Sequence, residues 1–316
     1  MDVSRISTGL TSAWSHLLAD WDRTLRSSAK PETTRYNYLL AVSQFARFLT
    51  DHAADHDAGT AARDPAESTR AHIEEFQAWM IETRSASTAL NKHKVLQQFF
   101  KWLAEDEQEI ERSPMERVKA PTTPTKLVPV MGDEDTKKIL DTCHGKTFTD
   151  LRDQAIIRLY YGTGARLAEV ANLTTDDLDM ATDSVVYLGK GGKDRRVRFG
   201  PKTARALSRY LRARSRHRGA DLPSLWLAAR GAQPLQANGI KIMLKRRGKH
   251  AGVSGVHAHR WRHHYAHAWK LAGGDTGDLM LLLGWSTDAM ARHYGASAAA
   301  ERAQEVQLRM RIGENV

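Results

Sequence analysis

SVVYLGKGGKDRRVRF, residues Ser184 to Phe199, reads unlike the rest of the chain. SVVYL (Ser184 to Leu188) and RRVRF (Arg195 to Phe199) are short runs with β-type composition. GKGGKD lies between them, and its glycines supply the backbone freedom of a tight reversal, so the stretch predicts a β-hairpin. On either side the apolar spacing has the period of a helix. Leu151, Ala155, Ile156, Leu159 and Tyr160 mark a helix that ends at the glycines of YGTG. Before it, Asp133 or Asp135 can cap a helix running through Ile139 and Leu140. After the hairpin, Gly200-Pro201 opens a helix through Ala204, Leu207 and Leu211, and the tail from near Asn238 is again mostly helical. A small antiparallel sheet set in helices is the expectation for this half of the chain.

The first half reads as helices alone. Leu10, Trp14, Leu17, Leu18, Trp21 and Leu25 recur at steps of three and four, with Thr11 or Ser12 near the start. Pro31-Glu32-Thr33 opens a second helix, with Tyr38, Leu39, Val42, Phe45, Phe48 and Leu49 on its apolar face. DHAADHDAGTAARDPAES is polar and marked by Gly and Pro, so it reads as a loop. Ile73, Phe76, Trp79 and Met80 mark a third helix; Leu90, Val95, Leu96, Phe99, Phe100 and Leu103 mark a fourth. The stretch RSPMERVKAPTTPTKLVPV holds four prolines and little periodicity, which predicts an extended linker. The chain therefore divides into residues 1–112, a linker over 113–128, and residues 129–316. Its 316 residues suit two cores better than one.

Forty-seven Lys and Arg against 37 Asp and Glu give a formal net charge of +10. Such a balance favours a polyanionic partner, nucleic acid first. The single cysteine, Cys143, excludes an internal disulfide. No apolar run approaches the roughly 20 residues that span a bilayer, and MDVSRISTGLTSAW lacks the pattern of a signal peptide. An intracellular, cytoplasmic protein with no membrane partner is expected.

Chemistry-bearing residues gather in three clusters of the second half. YGTGARLAEV places Arg166 beside a glycine turn at a helix start, where a guanidinium can clamp an oxyanion; a surface Arg is the plain alternative. GKGGKDRR carries Lys190, Lys193, Arg195 and Arg196 on the hairpin, without the spacing of a phosphate-binding Walker loop. It can reach DNA, or be a solvated charged turn. HAHRWRHHYAHAW, followed by LLLGWSTDAMARHYG, brings His259, Arg262, His263, Trp285 and Tyr294. His259 and His263 stand four apart, as in a zinc pair, but no Glu lies between them in an H-E-x-x-H arrangement and no third ligand is near, so no metal is expected. In the first half, Lys92, His93 and Lys94 form a basic run that is either a solvated face or a phosphate contact.

The order G-A-R-L-A-E-V, G-K-G-G-K, H-R-W-R-H, L-L-G-W and H-Y resembles the tyrosine recombinase (phage integrase) family over nearly the whole chain. The gaps between the first Arg and the hairpin Lys, and between the L-G-W and the Tyr, also match. The resemblance implies a mainly α fold. An N-terminal four-helix core-binding, SAM-like domain would precede a C-terminal mixed α/β catalytic domain that is mostly helical, with a small antiparallel sheet. Carried over by motif, Arg166 and Arg262 match the catalytic arginines, Lys190 the hairpin lysine, His259 the histidine of H-x-x-R, and Tyr294 the nucleophile. Glu169 matches an acidic residue that supports the first Arg, with His263 behind the catalytic set. Trp285 stands where most members carry His and a minority Trp. It cannot shuttle a proton, so it donates its indole N–H or packs. Little sequence precedes the first helix, so an extra arm-type domain is not expected and a simple Xer-like or Cre-like architecture fits.

The residues suit the implied chemistry. Two guanidiniums can neutralise a phosphodiester in its transition state. A phenol, which titrates near pH 10, must lose its proton to act as a nucleophile, and an imidazole such as His259 can take it. Lys190 can protonate the departing 5′-oxygen. The product would be a 3′-phosphotyrosine, and attack by a 5′-hydroxyl would reseal the strand without metal, ATP or other cofactor. The expected function is site-specific recombination or integration of double-stranded DNA. The resemblance implies a homo-tetramer on two recombination sites, and leaves room for accessory DNA-bending proteins. DNA contacts are assigned to Lys92, Lys94, Lys193, Arg195 and Arg196. AAAERAQEVQLRM, after the Tyr, would be a helix docking on a neighbouring protomer, or packing on its own domain. The alternatives are a type IB topoisomerase-like relaxase, using the same phosphotyrosine as a monomer, and a non-catalytic DNA-binding relative.

Overall fold

The computed structural model describes residues 2–52, 58–123, 130–189, 194–311 and 313; the side chains of 288, 289, 293–297 and 300 are outside the description as well. The chain forms two compact units, Met1–Thr125 and Lys126–Val316.

The N-terminal unit consists of α1 (Val3–Ser7), α2 (Ser12–Ser27), α3 (Glu32–Asp51), α4 (Arg70–Thr83) and α5 (Ala86–Glu105). Four of these follow the sequence periodicity; α1 is too short to show one. The helix starts are fixed locally. Ser85 accepts from the Thr88 amide at 3.2 Å, and Thr69 and His72 form a reciprocal capping box at α4. Trp14, Trp21, Phe45, Phe76, Phe99 and Phe100 fill the core, with Trp14 packed edge-on to Phe45 and stacked on Phe99. The Trp14 indole N–H donates to the Ala61 carbonyl at 3.0 Å, which pins part of the α3–α4 connection to the core. Among the described residues of the loop read from the sequence, Pro65–Glu67 forms a 3-10 turn.

The C-terminal unit runs α6 (Asp133–Asp141), α7 (Phe148–Thr163), α8 (Leu167–Ala171), β1 (Leu178–Asp179), β2 (Ser184–Tyr187), β3 (Arg195–Arg198), α9 (Pro201–Arg214), α10 (Ala237–His250), α11 (Ala258–Leu271), α12 (Thr276–Leu283) and α13 (Asp288–Met310). The strands form an antiparallel sheet in the order β1-β2-β3, with Val185 opposite Val197 and Tyr187 opposite Arg195. β1, two residues long, gave no sequence signal. Neither Asp133 nor Asp135 is the cap of α6: Gly132 holds that place, and Asp133, Glu134 and Asp135 occupy the first turn, where their charge suits the positive end of the helix.

Inside this unit α7 packs on α9 and α11, and α11 packs on α13. The interior carries charge as well as apolar side chains. Asp153, fully buried, accepts from Arg152 at 2.8 Å, Arg247 at 2.9 Å and Arg246 at 3.1 Å. Among the described residues no helix is long and apolar enough to cross a membrane.

Candidate active site

Two glycines at helix ends set the ground plan. Gly164 closes α7 with φ +60°, a left-handed conformation that an L side chain adopts at a cost. A Cβ there would lie 2.9 Å from Tyr265 Cβ and 3.0 Å from Leu283 Cδ2, so the absent side chain lets α7 end against α11 and α12. Gly284 closes α12 with φ +61°, and a Cβ on it would stand 3.3 Å from Arg195 Nη1.

The last carbonyls of a helix have no partner within the helix and sit at its negative end. Three consecutive carbonyls at the end of α12 are each met by a different arginine. Arg195 Nε donates to Leu282 at 2.8 Å, Arg262 Nη2 to Leu283 at 2.6 Å, and Arg166 Nη2 to Gly284 at 2.9 Å. Arg262 Nη1 also donates to the Gly164 carbonyl at 3.0 Å, so one guanidinium ties the ends of α7 and α12 together. Arg166 and Arg262, 96 residues apart in sequence, thereby become neighbours through adjacent carbonyls. Their environments differ: the Arg166 side chain is 41% exposed and Arg262 is 1% exposed.

Glu169 organises the exposed side of this cluster. Its Oε2 accepts from the Arg166 backbone amide at 2.7 Å, closing the start of α8, and its Oε1 accepts from Arg166 Nη1 at 2.8 Å. Arg195 grips the same carboxylate with both terminal nitrogens, at 2.9 and 2.7 Å. Burial alone would raise the Glu169 carboxyl; the Arg195 hydrogen bonds, then those of the Arg166 backbone and side chain, outweigh it and hold it at about 2. Glu169 therefore stays ionised at neutral and mildly acidic pH. The stability its pairs contribute is present above the ordinary carboxylate range and fades only as pH falls towards 2.

Trp285 lies under Arg262, whose guanidinium sits 5.1 Å from the ring centroid. With Ala266, Leu279, Leu283 and Ala291 it forms a small apolar cluster beneath the site. Packing is thus a role the structure gives this Trp. His259 is exposed in the first turn of α11, one turn before Arg262, and His263 is buried below it, their rings perpendicular at 5.0 Å. Among the described residues no group of three His, Cys, Asp or Glu could hold a metal ion. Tyr294 falls within α13, and its side chain is outside the described residues. Lys190 and Lys193, which follow β2 and precede β3 in the sequence, also lie outside them.

The expected DNA contacts divide. The sequence assigns Arg195 to DNA, and in the structure this side chain is engaged within the protein. Its side chain is 10% exposed, its guanidinium carbon lies 5.0 Å from the centre of the Tyr187 ring, and its nitrogens are taken by Glu169 and Leu282. Alternation along β3 turns Arg195 to the opposite face from Arg196. Arg196 is exposed, with Nη1 3.3 Å from Asp179. In α5, Lys94 is exposed and Lys92 is half-buried, with burial lowering its pKa. His93 faces inward, its Nδ1 2.6 Å from Gln77 Oε1. A cleft between α7 and α9, which no sequence motif marks, is lined by Arg158, Lys202, Arg205 and Arg209, with no acidic residue in its lining.

The profile of the Phage integrase family matches residues 129–301, and that of the phage integrase N-terminal SAM-like domain matches residues 17–110. The chain belongs to the phage integrase family. Tyrosine recombinase XerC of Bacillus pumilus is 30% identical over 263 residues, 81% of this chain and 83% of that protein. XerC of Ralstonia pickettii is 29% identical over 280 residues, 82% and 81% of the two chains. Within the family this integrase-type chain is a tyrosine-type site-specific recombinase, and the relaxase and non-catalytic alternatives are not favoured. The fold agrees with solved structures. XerH recombinase bound to a palindromic difH substrate superposes with a TM-score of 0.69 at 17% identity, over 95% of this chain and 97% of that one. A lambda integrase dimer bound to a COC′ core site gives 0.70 at 16%, over 92% and 79%.

Proposed function

We propose that the chain cleaves and rejoins double-stranded DNA at specific sites through Tyr294. The phenolic oxygen attacks the scissile phosphorus, the bond from phosphorus to the 5′-oxygen breaks, and a 3′-phosphotyrosyl link forms. The phenolic proton passes to His259, and the leaving 5′-oxygen takes a proton from Lys190. Charge gathering on the nonbridging oxygens is met by Arg166 and Arg262, with Trp285 beneath Arg262. Attack by a 5′-hydroxyl reverses the step and reseals a strand without metal or ATP.

The observation that carries this reading is the pairing of Arg166 and Arg262 through the adjacent carbonyls of Gly284 and Leu283, with His259 one turn from Arg262. The solved XerH and lambda integrase complexes contain DNA sites, and this supports DNA as the partner. Strand exchange between two duplexes requires four cuts, so the active species is a homo-tetramer on two sites, with accessory DNA-bending proteins as further partners. Lys92, Lys94, Lys193 and Arg196 contribute DNA contacts. The domains of this reading are a core-binding domain over 1–112, a linker over 113–128 and a catalytic domain over 129–316, acting in the cytoplasm on nucleoid DNA.

Incubation with nicked duplexes carrying candidate sites, followed by denaturing electrophoresis, tests the chemistry. The wild-type chain should trap a covalent adduct, in EDTA as well as without it. Tyr294→Phe should bind the same DNA and trap none, because one oxygen is lost and the basic surface is kept. An adduct in that variant would remove Tyr294 as the nucleophile. Loss of cleavage in EDTA that a divalent metal restores would remove the two arginines as the source of charge neutralisation.

A further inference from the structure

We propose that Arg195 is a positioning residue of the strand-cleavage reaction, fixing the place of the Arg166 guanidinium through Glu169 and the end of α12. The proposal rests on the function above and adds a residue to it. Arg195 spans three elements from β3: its fork closes on Glu169 of α8, its Nε holds the Leu282 carbonyl at the end of α12, and its guanidinium carbon lies over the Tyr187 ring of β2. Arg166 uses the two neighbouring acceptors, Glu169 Oε1 and the Gly284 carbonyl. The two arginines therefore share one carboxylate and one helix end, so what moves Glu169 or α12 moves Arg166. Arg195 is almost buried, while Arg166 has the exposure needed to meet a phosphate.

Among the described residues, the charged and titratable groups facing Glu169 are Arg166, Arg195 and the phenols of Tyr160 and Tyr187. Without Arg195, burial of Glu169 is opposed chiefly by Arg166, and the carboxyl moves up from its depressed value. Once protonated it no longer grips Arg166 as a charged acceptor. The variant should then lose cleavage on the acid side, where the wild-type Glu169 remains ionised.

Two variants test this on the full chain. Arg195→Lys keeps the charge and loses the fork, and Arg195→Gln loses the charge. Single-turnover adduct formation by Arg195→Lys should slow about 100-fold, the size of effect a small misplacement produces. The affinity for the same DNA should stay within about twofold, and the slope of log affinity against log salt should not change, because no phosphate contact is removed. For Arg195→Gln, the ratio of its adduct rate to that of the wild type should fall as pH is lowered from 8 to about 5.5; any His259 titration is common to both proteins and cancels.

A 5′-bridging sulfur substrate identifies the residue through which Arg195 acts. A thiolate leaves without a proton, so sulfur should restore Lys190→Ala, and it should leave Arg195→Lys slow, because Arg166 supplies charge stabilisation that sulfur does not replace. Sulfur rescue of Arg195→Lys would overturn the proposal in favour of the hairpin lysine. A normal adduct rate with weaker binding and a salt slope reduced by about 0.9 would make Arg195 a DNA contact. Equal slowing at every pH with a lowered melting temperature in both variants would reduce it to a structural residue. A wild-type chain that forms no adduct fails the proposed chemistry itself. A normal wild type with an unimpaired variant fails only the role of Arg195.

Discussion

In the N-terminal unit the fully buried large side chains are rings and aliphatics, Trp14, Phe45, Phe76, Phe99, Phe100 and Leu18 among them. In the C-terminal unit Trp226, Trp261 and Tyr160 are joined by Arg262, and Arg152, Arg214 and Arg247 are also buried. No arginine is buried among the described residues of the first unit. The difference has a physical consequence. Ring packing is close to non-directional and tolerates exchange at constant volume. A buried guanidinium requires an acceptor in the plane of each N–H and is costly without one. The first unit is built to be stable; the second uses directional bonds to bring helix ends to fixed places, and the site is made of those ends.

That comparison breaks most visibly under conservative substitution. Leu96→Met, in the buried core of the first unit, should cost less than about 1.5 kcal/mol. Asp153→Asn keeps the size of the side chain but removes the charge shared by Arg152, Arg246 and Arg247, and should cost about 3–5 kcal/mol. Amide hydrogen exchange, followed separately on peptides from the two units, checks both in the full chain. A small effect of Asp153→Asn would mean that the buried charges of the second unit are as interchangeable as the rings of the first.

The same contrast explains what the sequence could show. Period alone located α2, α3, α4 and α5, because a ring-filled core leaves its spacing in the residue types. It also located α7, α9 and the hairpin strands, and motif order singled out Arg166, Arg262, His259 and Glu169. The acceptors of the arginines left no mark, because every residue carries a carbonyl and nothing in LLLGW says that Leu282, Leu283 and Gly284 will each meet a guanidinium. Arg195 shows the limit sharply. Among four cations on a hairpin it reads as a DNA contact, and nothing in the sequence shows that its guanidinium meets Glu169 of α8 and the Leu282 carbonyl. Strand alternation was the one signal that separated it from Arg196.

Trp285 stands between the two kinds of packing, an apolar ring whose task is to support a buried cation. Trp285→Ala removes the surface under Arg262 and should slow adduct formation about 100-fold, since a displaced guanidinium forfeits its alignment. Trp285→His keeps a planar donor there and should stay within about tenfold of the wild type. Single-turnover rates on one suicide substrate decide it. An Ala variant as fast as the wild type would show that the carbonyls of Gly164 and Leu283 hold Arg262 unaided.

The smallest effect concerns charges that neither unit buries. Lys94 is exposed on α5, and Arg196 is exposed on β3 but already sits 3.3 Å from Asp179 and 3.1 Å from the Ser184 hydroxyl. A cation that neutralises one phosphate contributes about 0.9 to the slope of log affinity against log salt. Lys94→Ala should therefore lower that slope by about 0.9, and affinity at physiological salt should fall only severalfold. Arg196→Ala should change the slope less, because its guanidinium is engaged within the sheet and must leave Asp179 to reach a phosphate. Binding titrations of both variants across a salt series, on one duplex, compare them directly. Equal slope changes would mean that DNA draws Arg196 away from Asp179. An unchanged slope for Lys94→Ala would take α5 off the DNA-facing surface and leave the phosphate contacts of the first unit to other cations.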